Sequence, residues 1–225
     1  RQRQMCIRDR LKSAREIEAM DRAGDFLASI HIGLRDLLKP GVDMWEVEEY
    51  VRRRCKEENV LPLQIGVEGS IMDYPYATCC SLNDEVAHAF PRHYILKDGD
   101  LLKVDMVLSE PIDKSVLDVS KLDFDNVAQV KKYTESYAGG LADSCWAYAI
   151  GTPSDEVKNL MEVTREAMYL GIEQAVVGNR IGDIGAAIQE YAESRGYGVV
   201  RDLVGHGVGP TMHEEPMVPN YGVAG

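Results

Sequence analysis

The stretch Val204-Gly-His-Gly-Val-Gly-Pro-Thr-Met-His-Glu-Glu-Pro216 decides how the rest of the chain is read. His206 and His213 stand seven residues apart, about two turns of helix, yet this run cannot be helical. Gly205, Gly207 and Gly209 lower helix propensity, and Pro210 removes a backbone donor. An extended or turning backbone with bare glycines beside an imidazole is what close approach of a ligand requires. A glycine-rich surface loop would account for one histidine. Two of the chain's five histidines inside this run, followed by Glu214-Glu215-Pro216, point to a site.

Upstream of the motif, strand is expected from Tyr197 onward. Before that, a helix starts near Asp183, uses Ile184, Ala187, Ile188 and Tyr191, and stops at Arg195-Gly196. Another opens at Thr152-Pro153-Ser154-Asp155, read as cap, first-turn proline and acid, and is carried by Val157, Leu160, Met161, Thr164, Met168, Ile172 and Ala175. The first half of the chain has the same order. Ser13 and Glu16 form a capping-box signal, and Ile17, Met20, Leu27, Ile30, Leu34 and Leu37 recur at helical spacing until Lys39-Pro40-Gly41. A second helix runs from Asp43 through Val47, Tyr50 and Val51 to about Asn59. His31 lies among core-spaced residues of the first helix and is expected to be a satisfied packing histidine.

From Leu63 the helical period disappears, and strands are expected at 77–82, 85–90 and 100–108, with another over 137–150. Residues 109–136 change to alternating acids and lysines and read as an insertion with a short polar helix, 122–132. Residues 1–10 are polar and Arg-rich and read as a non-native leader. Helix, helix, strands, then helix, helix, strands is a two-fold repeat of architecture. Strands and helices that segregate rather than alternate indicate an α+β fold.

The chain has 225 residues and a formal net charge of −12, which argues against nucleic acid and anionic membrane as main partners. No apolar run approaches the ~20 residues of a membrane span. Five cysteines without framework spacing indicate free thiols in a reducing cytoplasm, with Cys79-Cys80 as buried strand residues.

Within the strand at 100–108, Leu102, Val104, Met106 and Leu108 share one face, while Asp105 projects from the other beside Lys103 and Val107. A carboxylate in so apolar a strand needs a partner, either a lysine or a metal. Asp143 lies in a second apolar strand. A dinuclear hydrolytic site needs hard oxygen ligands and usually an imidazole, and Asp105, Asp143 and His206 supply both.

The pattern Gly-His-Gly-Val-Gly-x-x-x-His-Glu-x-Pro over 205–216 resembles the signature of the pita-bread metallopeptidases, which include methionine aminopeptidases and Xaa-Pro peptidases. Lys97-Asp-Gly-Asp-Leu-Leu-Lys-Val-Asp105, Gly140-Leu-Ala-Asp143 and Ser81-Leu-Asn-Asp-Glu-Val-Ala-His88 resemble type I methionine aminopeptidases in particular. That resemblance implies a pita-bread (creatinase/aminopeptidase-like) fold of two helix-pair-plus-sheet halves. The implied activity is removal of the initiator methionine from nascent proteins by hydrolysis assisted by two divalent ions (Co, Mn, Fe or Zn).

By the same resemblance Asp105, Asp143 and His206 are metal ligands. His88 and His213 are catalytic and contact the substrate, His213 at the scissile carbonyl. Tyr74, Cys79 and Met212 line the methionine pocket. Ala89 follows His88 where glycine is usual. The widened gap after Asp105 leaves Asp113, Asp118, Asp123 and Asp125 beside Asp143 as second ligands, and strand context selects Asp143. The family's two further glutamate ligands follow the motif by tens of residues, so residues 11–225 are expected to be a C-terminally truncated catalytic domain with its last strands missing, weak in metal binding and with its own activity left open. Nascent chain N-termini are the implied partners, with the ribosome or the substrate entrance as the contact of the insertion, and a cytoplasmic monomer is expected. The alternatives are an Xaa-Pro aminopeptidase-like hydrolase and a non-catalytic pita-bread binding protein.

Overall fold

Helix α1 (Ala14–Leu37) begins where the sequence places it: Ser13 Oγ accepts the Glu16 N–H at 3.3 Å, and the Glu16 carboxylate accepts the Ser13 N–H at 2.8 Å. A computed structural model describes residues 11–225, so the expected leader over 1–10 lies outside the described residues. The buried stripe of α1 is Ala19, Ala23, Phe26, Leu27, Ile30 and Leu34. Pro40 disfavours helical backbone at Lys39, and the helix stops short of it. Helix α2 (Trp45–Glu57) follows and buries Val47, Val51 and Cys55 in the same core.

Three antiparallel strands, β1 (Cys79–Leu82), β2 (Leu101–Ser109) and β3 (Leu141–Ala149), form one sheet in the order β1-β2-β3. Directly paired residues share a face. One face carries Leu102 opposite Leu82 and Tyr148, with Val104 opposite Cys80 and Trp146, and this face packs on α1. The other carries the row Cys79, Asp105, Cys145, with Val107 opposite Asp143 alongside. The pleat therefore puts the apolar set into the core and both aspartates on the open side. Where β3 begins, a Cβ on Gly140 would fall 2.2 Å from the Ala19 carbonyl carbon, so only glycine lets strand and helix backbones approach this closely.

Two buried polar residues tie the helices to this sheet. His31 is fully buried on α1, with Nδ1 2.7 Å from the Tyr148 hydroxyl, Nε2 3.2 Å from Ser144 Oγ, and its ring stacked on Trp146 at 4.7 Å. It is the packing histidine its spacing predicts. Burial pushes its pKa down to about 4. The neutral form is therefore favoured in the fold, and stability is full above the ordinary value near 6.5 and lost as pH falls toward 4. Between pH 7 and 4.5 wild type should lose about 2 kcal/mol more stability than His31→Phe in urea melts, and equal losses would refute it. Glu48 of α2 is also fully buried; it accepts Arg52 Nε, the Ala77 N–H at 2.8 Å and the Thr78 hydroxyl at 2.6 Å.

The second half contains α4 (Asp155–Glu173), α5 (Ile181–Glu193) and a two-stranded sheet of β4 (Gly205–Gly207) and β5 (Glu214–Val218). Between β2 and β3 the chain makes a single 3-10 turn (Val119–Lys121) and helix α3 (Val127–Thr134). The expected order of helices and strands is present in both halves.

Several boundaries differ from expectation. The segment 85–90 is not a strand: Glu85 turns back so that its carboxylate accepts the Leu82 N–H at 2.7 Å, and His88 adopts a left-handed φ of 59°. The first strand starts at Cys79 rather than 77, since the Ala77 N–H and the Thr78 hydroxyl are taken by Glu48. The insertion helix starts at Val127 and not at 122, because Asn126 caps it by accepting the Gln129 N–H. The strand expected over 137–150 is shorter, Leu141–Ala149. Ser154, not Thr152, caps α4, with Pro153 before the cap. No strand forms over 197–204; pairing begins only at Gly205, opposite Val218.

Candidate metal and substrate site

Asp105 is flanked across the sheet by the thiols of Cys79 and Cys145, and Asp143 is its diagonal neighbour on β3. Among the described residues, neither aspartate has a lysine or arginine partner. The adjacent Lys103 turns away, its ammonium donating to the Asn83 carbonyl at 2.6 Å. Burial, reinforced by the negative charge of Asp143, raises the Asp105 pKa to about 7. Burial also raises that of Asp143, against the pull of His206, His213 and His88. Of the two partners foreseen for Asp105, the lysine is ruled out.

The loop joining β4 and β5 brings the imidazoles to these carboxylates. His206 Nδ1 donates to the Gly207 carbonyl at 3.0 Å, which leaves Nε2 facing Asp143 Oδ2 at 3.5 Å. An imidazole nitrogen and a carboxylate oxygen converging in this way are a donor pair that a cation can bridge. Ligands held at about 2.1 Å with a roughly tetrahedral angle lie about 3.4 Å apart, which matches this spacing. The chemistry of the donor set therefore fits a divalent ion. Among the described residues no three His, Cys, Asp or Glu side chains converge into a complete cage, so the arrangement is the Asp143–His206 pair with Asp105 alongside.

The His213 ring centroid lies 4.4 Å from that of His206, and burial together with His206 lowers its pKa. His88 is exposed on the irregular segment after β1, close enough for its charge to act on Asp143 and His213. Of the acids that competed with Asp143, Asp118 pairs with Lys121 and Asp125 with Arg52; Asp113 accepts the Ser115 N–H and hydroxyl, and Asp123 the Asp125 N–H. None of these contacts is with the site.

The three residues expected around an apolar pocket divide into two groups. The Tyr74 hydroxyl donates to the Thr78 carbonyl at 3.0 Å, and Cys79 Sγ accepts from Gln64 at 3.2 Å. Met212 instead lies with His213, Leu63 and Val67 around a cavity of about 250 Å³, which is also lined by Lys131, Thr134 and Glu135 at the end of α3. Sequence reasoning missed Tyr76 and Phe90, which complete an aromatic cluster with Tyr74 at centroid distances of 5.2–6.2 Å. The signal available was the Tyr74-Pro75-Tyr76 triplet.

The model of metallopeptidase family M24 matches residues 18–109 and 132–224, with a break inside the expected insertion. A methionine aminopeptidase of Clostridium acetobutylicum is 38% identical over 216 residues, covering 96% of this chain and 74% of that one. The structure of a methionine aminopeptidase from Streptococci is 88% identical with a TM-score of 0.88, covering 96% of this chain and 76% of the other. That of Thermotoga maritima methionine aminopeptidase is 34% identical with a TM-score of 0.79, covering 96% and 75%.

Proposed function

Since the chain belongs to metallopeptidase family M24, we propose that Asp105, Asp143 and His206 hold two divalent ions, and that His213 and His88 contact the peptide being cut. The chain is a methionyl aminopeptidase of the pita-bread fold, acting on the initiator methionine of nascent proteins. The observation that carries the site assignment is His206 Nε2 facing Asp143 at 3.5 Å, beside the buried Asp105, which has no lysine or arginine partner among the described residues.

When bound, such an ion supplies Lewis acidity and an acidified water to the peptide carbonyl. The protein's own groups do the rest. The Gly207 carbonyl holds the proton of His206 on Nδ1 and so keeps Nε2 free as a ligand. His213, its pKa lowered by burial, stays neutral near pH 7 and offers its N–H to the oxygen of the carbonyl under attack. Met212 lines the cavity beside His213, and Tyr74 and Cys79 lie together apart from it, as the two sides against which an unbranched thioether side chain would pack. Residues 109–136 form an insertion whose helix α3 stands at the substrate entrance, because its last turn shares a cavity with Met212 and His213.

The test is release of free methionine from a Met-Ala-Ser peptide with added Mn(II) or Co(II). It should be run on this chain and on one extended to the length of its relatives. Metal-dependent release by either supports the reading. No release from either, with both folded, overturns it.

A further inference from the structure

The first described residues of the chain reach the loop that carries His213. Lys12 Nζ stands 2.5 Å from Glu214 Oε2, and the two side chains are only 19% and 18% exposed. The other carboxylate oxygen, Oε1, accepts the Thr211 N–H at 3.3 Å. The Thr211 hydroxyl lies 3.3 Å from Oε1 and 3.2 Å from the His213 carbonyl oxygen, and donates to one of them at a time. The Gly209 N–H closes the loop on the Thr211 carbonyl at 3.1 Å. A Cβ on Gly209 would sit 2.5 Å from Glu214 Oε2, so the carboxylate occupies the space beneath that glycine. Glu214 is thus the post around which residues 209–213 are folded, and Lys12, 202 residues away in sequence, is its counter-charge.

We infer that Lys12 and Glu214 are a positioning pair that sets the His213 ring against the substrate carbonyl. The inference rests on the role of His213 given above. A mostly buried carboxylate that loses its cation turns toward water, since burying an uncompensated charge is costly. Glu214 cannot turn out without releasing Thr211 and the backbone that carries His213. Displacing a group in contact with the reacting carbonyl by about 1 Å costs on the order of a hundredfold in rate. Lys12 itself touches neither the carboxylate pair nor His213, so the effect falls on turnover rather than on substrate binding.

The experiment compares Lys12→Ala, Lys12→Arg, Glu214→Gln and the surface control Lys158→Ala by methionine release with saturating Mn(II). Alongside, the ¹⁵N–¹H signals of the His213 ring are recorded, assigned by their loss in His213→Gln. Lys12→Ala should lower kcat about tenfold to a hundredfold while KM stays within about twofold. Lys12→Arg should recover most of the loss, Lys12→Ala and Glu214→Gln should be non-additive, and the control should match wild type. The His213 signals should move in Lys12→Ala and return in Lys12→Arg. Unchanged kcat with unmoved signals would overturn the inference, as would a loss of rate that Lys12→Arg does not repair. If wild type itself releases no methionine, the functional reading has failed, and the His213 signals alone still decide whether the pair positions the ring.

Discussion

Asp105→Asn is expected to abolish methionine release, by well over the roughly 100-fold that losing an outer partner of a metal ligand costs. The substitution keeps the shape of the side chain within the Cys79–Asp105–Cys145 row and removes only the anionic oxygen. The same change has an opposite effect on the stability of the metal-free protein. Burial and the charge of Asp143 hold the Asp105 pKa at about 7, above its ordinary value of 3.8. A raised carboxyl pKa contributes stability at low pH that is lost as pH rises through the folded-state value. Metal-free wild type should therefore lose stability between about pH 4 and pH 7 that Asp105→Asn keeps. Denaturant midpoints at pH 5 and pH 8, taken with chelator and again with Mn(II), read both effects. A variant that still cleaves at near wild-type rate would show that Asp105 is not a ligand, and one that gains nothing at pH 8 would show that its carboxyl is not destabilised in the metal-free fold.

The largest loss of stability is expected from Glu48→Ala. Glu48 is fully buried and receives the Arg52 guanidinium, the Ala77 N–H and the Thr78 hydroxyl, three donors that converge on one carboxylate. Removing one partner of a buried ion pair typically costs about 3–5 kcal/mol, because the groups left behind are stranded. Arg52 also donates to Asp125 at 2.6 Å, so loosening it releases the segment before α3 as well as the approach to β1. Glu48→Gln, which preserves two acceptor contacts, should lose less. Chemical denaturation of the three proteins gives the ranking, and a Glu48→Ala midpoint within error of wild type would refute it.

What was legible in the sequence is what depends on neighbours a few residues apart. The Ser13–Glu16 box marks the start of α1, and the period-two alternation around Asp105 assigns the two faces of β2. His31 is recognisable as a core residue because it falls on the Leu27–Ile30–Leu34 stripe. Segment 85–90 misleads because Val86, His88 and Phe90 alternate as a strand would. Its real determinant is a turn at Asn83, with φ of 53°, whose side chain caps Leu101 by accepting its N–H at 2.9 Å. Glu48 looks like one more acid on a polar helix face, and only its i,i+4 partner Arg52 beside the Val47–Val51 line hints otherwise. The Lys12–Glu214 contact leaves no sequence signal at all, since nothing local links residues at opposite ends of the chain.

The packing of α1 against β3 bears on how the protein is born. The helix is synthesised well before the sheet it rests on: Tyr148, Trp146 and Gly140, against which His31 and Ala19 pack, come more than a hundred residues later. At about 5–20 residues per second, the apolar stripe of α1 waits on the order of ten seconds during translation for that surface to emerge. Helix α2, made directly afterwards, offers it a local partner meanwhile. The β1-β2-β3 sheet pairs segments closer in sequence to one another than α1 is to β3, so docking α1 onto it is the longest-range step and adds most to the topological cost of folding. An enzyme that trims the first residue of other nascent chains thus has its own first helix among the last of these elements to be secured.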